Sequence, residues 1–552
     1  MRQALDELVS LGLAYSVFRL AYVGLGLAGC ALLWRRPRPA PALLLVLGLN
    51  LAAWAAYVAP LARPYALDDL LDRALQIGMT ACTSAGASPL EHTQVRFMAL
   101  EPLWNLVSAA LSWYRPERAM STWVWLPALA LAGVTLLLHR GLRLEDGTRQ
   151  DAWERVLIVF AALGLSSLSL SLRAPLPPFW TANFLLKPNH AVGWGLLVFV
   201  VGWQARRRRS PVALGLLLGA LAWCFLLAWP YALAGLGLAL LLAPRQERAP
   251  GRLLAATGIS AVVAGPYVWL LARDYNPLAG GGSPRQLWRD AIGLRLALPH
   301  WATLDLGPLL VLGALGALVL RRRGGPRDRA LLGLLAAAWA LWFAYELGAL
   351  FRFSPEPDEA HYFLRFSMAL AAGSALAAGA RHLEAWRGLR PGQGHLVVLA
   401  CSLPLCFPAY WDPPTMDRYY RLSRQPVPPK VEAYGAWVRE HTPPDAVFAA
   451  GPSAASWIPA LAGRRVLLTA AARPPADYQE RKAVERTLLT SEDAGEIARA
   501  ARRYGITYLA VDAPVREEYG PERVARAANG AAYRRVYSSS AVLILELRGP
   551  PS

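Results

Sequence analysis

Three short stretches of this 552-residue chain place polar side chains where chemistry can be done, each beside a long apolar run. The first is Asp68-Asp69, with Asp72 four residues after Asp68, directly after apolar residues 40–62. Adjacent acids on a helix point to different sides, while Asp68 and Asp72 share a face. A carboxylate at a membrane boundary can take a proton from a sugar hydroxyl, or Asp68 and Asp69 can hold a divalent cation such as Mg or Mn. The same residues suit a helix N-cap, and on the residues alone both readings stand. The second stretch is Lys187-Pro188-Asn189-His190. Lys187 is the only lysine before Lys430 in a chain that otherwise uses arginine. Its ammonium can bind a phosphate as a point charge, with Asn189 and His190 as further donors, or it can snorkel to the membrane surface. The third runs from Glu356 to Phe366. Asp358, His361, Tyr362 and Arg365 recur at helical spacings, so at least three can face one cavity. Asp358 and Glu359 with His361 do not make a diagnostic metal spacing. Arg365 falls inside the membrane boundary, where a bare guanidinium is costly, so it requires Asp358 and Glu359 or a lipid phosphate as partner.

The elements that must position these groups follow from the order of the arginines. Clusters at Arg35/Arg36/Arg38, Arg140/Arg143/Arg149, Arg206 to Arg209, Arg245/Arg248/Arg252, Arg321 to Arg323 with Arg327/Arg329, and Arg381/Arg387/Arg390 each follow one apolar segment and precede another. Loops on the cytoplasmic side collect Lys and Arg, so the clusters mark the inside and the poorer connectors mark the outside. Apolar stretches at 12–34, 40–62, 121–139, 155–172, 190–204, 211–227, 229–243, 253–272, 305–320, 330–350, 363–380 and 394–411 predict a polytopic all-α membrane protein of about 11–13 helices. The stretch 211–243 must go in and come back, with its turn expected at Trp229-Pro230. Both chain ends then fall outside, with a long outer loop at 63–120. No cleavable signal peptide is expected, because the first residues carry acids and lack a small-residue cleavage site.

Composition agrees: 55% of residues are hydrophobic, 17% are charged and the mean hydropathy is +0.29. A net charge of +19 would suggest nucleic acid in a soluble protein. Here the excess sits in short loops that face anionic lipid and lack an aromatic platform, so no nucleic-acid partner is expected. The five cysteines lie in or near apolar segments, with no CxxC metal pattern. The expected organisation is a membrane module at 1–411, a linker at 412–427 and a soluble α/β domain at 428–552. In that tail, Lys430 to His441 reads as a helix, 446–449 as a buried strand, Arg465 to Thr469 as a second strand, and Glu492 to Tyr504 as a helix closed by Gly505. Ile506 to Val511 is a third strand, and 533–537 with 541–547 form a hairpin. Gly451 and Gly463 are isolated, so no phosphate loop is present.

The layout resembles the GT-C superfamily of integral-membrane glycosyltransferases, which includes dolichyl-phosphate-mannose mannosyltransferases, oligosaccharyltransferase catalytic subunits, and bacterial lipid A aminoarabinose and RgtA-like transferases. The residues that carry the resemblance are Asp68-Asp69 directly after a predicted span and Glu101-Pro102-Leu103-Trp104-Asn105-Leu106, where relatives have a His-Pro-Leu-Tyr-like sequence. Val438 to Phe448 and Trp457 to Arg465 are similar to the outer domain of bacterial members. The chain departs from the family in having Asp68-Asp69 in place of an Asp-Glu pair, and in an apolar segment at 12–34 before the span that should open the shared module.

The resemblance implies transfer of a sugar from a polyprenyl-phosphate-linked donor to an extracytoplasmic acceptor, and the high alanine and arginine usage, which suggests a GC-rich bacterial genome, points to a bacterial inner membrane. It implies Asp68 or Asp69 as base, Lys187, His190 and Arg365 on the leaving phosphate, and Asp358, Glu359, His361 and Tyr362 toward Arg365 or the sugar. The leading alternative is a lipid or glycolipid transporter or flippase, with outer charges lining a path. Against it, the chain shows no repeat of two halves, and its acids cluster at the outer boundary. A scaffold whose tail binds a partner is a third reading.

Overall fold

The structure, a computed structural model, describes residues 13–57, 71–99, 101–143, 148–165, 188–204, 210–274, 306–350, 357–406, 427–469 and 475–548. In chain order its helices begin with α1 (Leu13–Trp34), α2 (Pro39–Tyr57), α3 (Leu71–Ser84), α4 (Pro102–Leu111), α5 (Pro116–Gly141), α6 (Arg149–Gly164) and α7 (Pro188–Gln204). Next come α8 (Pro211–Cys224), α9 (Ala228–Leu242), α10 (Pro250–Asp274), α11 (Gly307–Arg323), α12 (Pro326–Leu350), α13 (Pro357–Arg387) and α14 (Gln393–Ser402). The tail runs α15 (Pro429–His441), β1 (Val447–Ala450), α16 (Pro452–Ala462), β2 (Arg465–Val466), α17 (Tyr478–Thr490), α18 (Ala494–Tyr504), β3 (Tyr508–Asp512), α19 (Ala513–Tyr519), α20 (Pro521–Asn529), β4 (Tyr533–Ser538) and β5 (Val542–Leu547).

Among the described residues, Pro116–Gly141, Pro250–Asp274 and Tyr362–Arg387 are long and apolar enough to cross a membrane. The chain is thus a mostly helical membrane protein with a small C-terminal sheet. The 211–243 hairpin turns earlier than expected. Phe225 is extended, at φ −156° and ψ 91°, and ends α8, whereas Trp229-Pro230 lies inside the first turn of α9. A proline there costs nothing, because the first N–H groups of a helix have no internal partner.

Two compact units divide the chain. The helical unit comprises Met1–Pro60, Pro127–Gly265 and Ser283–Leu422. Its centre is α13, which packs on α11, α6, α12 and α14. Small residues allow the close crossings: a Cβ on Gly316 of α11 would lie 1.9 Å from the Ala371 carbonyl of α13, and one on Gly373 would lie 2.5 Å from the Ile158 Cα of α6. At one end of these helices Glu154 of α6 receives Arg323 at 2.7 Å, Arg327 at 3.0 Å and Arg381 at 3.1 Å, from α11, α12 and α13. Arg327 also pairs with Asp151, which Arg155 contacts at 3.1 Å.

The sheet-bearing unit comprises Leu61–Leu126, Pro266–Gly282 and Ser423–Ser552. Its five strands run in the order β2-β1-β3-β5-β4. β1 is parallel to β2 and β3, and β5 is antiparallel to β3 and β4. The second strand shortens from the expected Arg465–Thr469 to Arg465–Val466. Helix α18 ends as expected at Gly505, which takes φ 67°, and Asp493 caps its start by accepting from the Gly495 N–H at 2.8 Å. Asp512, buried at the end of β3, accepts from the Ser453 and Ala454 N–H groups at the head of α16 and from Val515 N–H in α19. One carboxylate therefore caps two helices.

Candidate functional site

Of the residues singled out by sequence, Asp68, Asp69 and Lys187 lie outside the described residues, as do the side chains of His190, Asp358, Glu359 and His361. Their backbones are placed for the last four: His190 in the first turn of α7, the others at the start of α13. Tyr362 is half-buried, and Arg365 is 1% exposed two turns into α13. Aromatic rings join the starts of these two helices. Trp194, one turn after His190, has its ring 4.5 Å from that of Phe363 and 4.6 Å from that of Phe366, the residue next to Arg365. Tyr231 of α9 completes the cluster, its ring 4.4 Å from Phe363 and its hydroxyl donating to the Leu334 carbonyl at 2.8 Å. The segments carrying His190 and Arg365 are thus held against each other by packing.

The described part of the outer loop is held by an inverted pattern, with polar residues inside. Helix α4 buries Trp104, Asn105 and Ser108 and exposes Leu106 and Val107. Ser108 meets Thr80 of α3 at 2.8 Å, the Trp123 indole donates to Thr80 at 2.9 Å, and Ser112 donates to Thr122 at 2.9 Å. Between α3 and α4 the chain makes a small hairpin. Glu91 bridges Met98 antiparallel, His92 N–H donates to the Phe97 carbonyl at 2.8 Å, and Arg96 at its tip takes φ 53°.

The hairpin leads to Glu101, which sequence reasoning quoted only as part of a motif. Glu101 has φ 56° and ψ 55°, left-handed backbone that side chains other than glycine adopt at a cost. It is 7% exposed, its carboxylate makes no capping bond to α4, and its N–H donates to the Tyr267 hydroxyl of α10 at 2.8 Å. A buried acid on strained backbone directs attention to function. The sequence signal available was a glutamate immediately before Pro102 at a helix start.

The tail grips this hairpin. Gln94 bridges Val466 in parallel: Val95 N–H donates to the Val466 carbonyl and Val466 N–H to the Thr93 carbonyl, both at 2.9 Å. Gln94 donates to Thr469 at 3.0 Å, and Val95 lies in the tail's apolar core with Leu467, Val484 and Leu488. Arg481 of α17 is 1% exposed and donates to the carbonyls of Val95 at 2.8 Å, Leu467 at 2.9 Å and Arg96 at 3.4 Å. Its Nε donates to Asp477 at 2.7 Å, and the Tyr504 ring lies beneath the guanidinium. Burial pushes the Asp477 carboxyl up, but hydrogen bonds from Arg481 and Tyr504 outweigh it and hold the group below its usual range. Among the described residues no three His, Cys, Asp or Glu side chains gather as a metal-binding set.

No protein-family profile matches the chain, and neither does any curated protein. Solved structures do. ArnT from Cupriavidus metallidurans bound to undecaprenyl phosphate aligns with 92% of this chain and 99% of its own, at a TM-score of 0.51 and 11% identity. The chain has the GT-C fold. The oligosaccharyltransferase of Archaeoglobus fulgidus, tethered with an acceptor peptide, is also similar, over 92% of this chain and 74% of its own, at a TM-score of 0.46 and 13% identity. So is the arabinofuranosyltransferase AftD from Mycobacteria, over 91% and 41%, at 0.44 and 14%. Glu101 and Arg481 are two buried, described polar residues to which the sequence alone assigns no role.

Proposed function

We propose that the protein is a membrane glycosyltransferase that moves a sugar from a polyprenyl-phosphate donor to an extracytoplasmic acceptor, which is a glycan, a lipid or a protein. The observation that carries this reading is the match of nearly the whole chain to an ArnT structure holding undecaprenyl phosphate. The order of the arginine clusters supports an orientation in a bacterial inner membrane with the tail outside.

In this reading Asp68 or Asp69 takes the proton of the acceptor hydroxyl. The hydroxyl oxygen bonds to the anomeric carbon as the bond from that carbon to the phosphate oxygen breaks, and polyprenyl phosphate leaves with the electron pair. Lys187, His190 and Arg365 meet the negative charge that grows on the departing phosphate. The burial of Arg365 and the packing of α7 on α13 support grouping His190 with Arg365. Asp358, Glu359, His361 and Tyr362 hold Arg365 or contact the sugar. Glu101 joins the acids of the outer loop. Where the reaction uses a divalent cation, Mg or Mn, Asp68 and Asp69 are the residues that would hold it.

The test incubates the purified full chain in lipid with radiolabelled polyprenyl-phosphate sugars, beside the Asp68→Asn/Asp69→Asn double variant. Wild type is expected to transfer label or release polyprenyl phosphate, with the variant at least about 100-fold slower. Absence of turnover with every donor, while lipid is moved between leaflets, would overturn the reading in favour of a transporter.

A further inference from the structure

We infer that Arg481 of the tail is a positioning residue for the outer-loop hairpin that leads to Glu101. This rests on the glycosyltransferase reading. The hairpin of Glu91 to Met98 is irregular backbone whose carbonyls need donors once buried. Arg481 brings a planar fork of N–H groups to the three carbonyls of Val95, Arg96 and Leu467, two on the loop and one on the tail. The fork is itself fixed, from one side by Asp477 and from below by Tyr504. The hairpin then delivers Glu101, two residues beyond Ala99, to the Tyr267 hydroxyl. Glu101 therefore sits between two anchors, Arg481 acting through the hairpin and Tyr267 acting on its N–H. Its left-handed backbone persists because the surroundings over-determine it.

A lysine at position 481 keeps the charge but has one donor point instead of a fork, so it cannot hold both loop carbonyls and Leu467 together. The loop then loosens while the tail stays folded. The donor's phosphate is assigned to residues outside this loop, so loosening is expected to lower kcat and spare donor KM. Misplacement of reacting groups by about 1 Å costs about 100-fold.

The experiment uses the full chain in lipid nanodiscs, as wild type, Arg481→Lys and Gln94→Leu, the last removing the bond to Thr469 without touching Arg481. Amide hydrogen exchange is followed in 91–101 and in β1 and β3, together with kcat and KM for whichever radiolabelled polyprenyl-phosphate sugar wild type uses. In both variants exchange in 91–101 is expected to rise at least about 10-fold with β1 and β3 unchanged, and kcat to fall about 10- to 100-fold at constant donor KM. Unchanged exchange in 91–101 overturns the tie between Arg481 and the loop. Faster exchange with unchanged kcat overturns the positioning role. Wild type that turns over no donor removes the glycosyltransferase reading and the positioning role with it, and the exchange result then separates that failure from failure of the tie.

Discussion

Arginines at the centres of polar clusters do different work in the two units. In the helical unit Arg323, Arg327 and Arg381 come from three helices and converge on one carboxylate, Glu154. In the sheet-bearing unit Arg464 and Arg481 are each directed mainly at backbone carbonyls, with Asp477 as the one carboxylate on Arg481 among the described residues. Arg464, 4% exposed, donates to the carbonyls of Ala462 and Thr442 at 2.8 Å and of Arg439 at 3.0 Å. The difference follows from the backbone. A helix interior satisfies its own carbonyls, so these arginines turn chiefly to anions, and Arg327 takes a carbonyl only just past the end of α5, at Leu142. Where the chain is irregular, carbonyls are left over and a guanidinium can take several at once. Ion pairs thus register helices against each other in one unit, and charge-to-backbone bonds register loops in the other.

Removing the anion is the strongest way to break this contrast. Glu154→Ala leaves three guanidiniums converging on an empty position and is expected to cost about 3–5 kcal/mol, read as lower thermal stability of the detergent-solubilised protein. A cost below about 1 kcal/mol would show that Asp151 and Asp328 take over the charge. Arg464→Met should cost less, about 1–3 kcal/mol, because it strands neutral carbonyls. Protease sensitivity around 439–465 checks it, with α11 to α13 unaffected. The smallest effect sharpens the contrast through pH. The folded Asp477 carboxyl ionises at lower pH than the unfolded one, so its stabilisation is fully present above about pH 4 and is lost as pH falls through the folded value. As pH drops below about 4, tail stability should therefore fall more steeply in wild type than in Asp477→Asn.

Periodicity placed most of the helices, because an apolar run of the right length has few other fates. Segment 12–34 became Leu13–Trp34, and 253–272 became Pro250–Asp274. It misplaced the turn in 211–243 because a Trp-Pro pair reads as a breaker, whereas a proline in a first turn is compatible with a helix. In the tail, Tyr478–Thr490, Ala513–Tyr519 and Pro521–Asn529 escaped notice, since the first is strongly charged and the other two span only about two turns each. The partners of the arginines were not legible at all. Arg323, Arg327 and Arg381 read as loop charges facing lipid, and only the fold brings them to Glu154. Arg481 was equally silent, since its acceptors are backbone atoms far away in the chain, and carbonyls leave no mark in a sequence.

That separation has a consequence for how the molecule is made. Gln94 and Thr469 are 375 residues apart, and Arg481 and Val95 are 386 apart. The hairpin at 91–98 is synthesised long before the strand and arginine that receive it, and non-local pairings of this kind form late. Until α17 emerges, the hairpin carbonyls of Val95 and Arg96 have no guanidinium. A chain that stops short of Tyr478 therefore keeps the hairpin's pairing with Val466 but lacks the guanidinium that ties its carbonyls to the tail, so its outer loop is fastened by strand contacts alone.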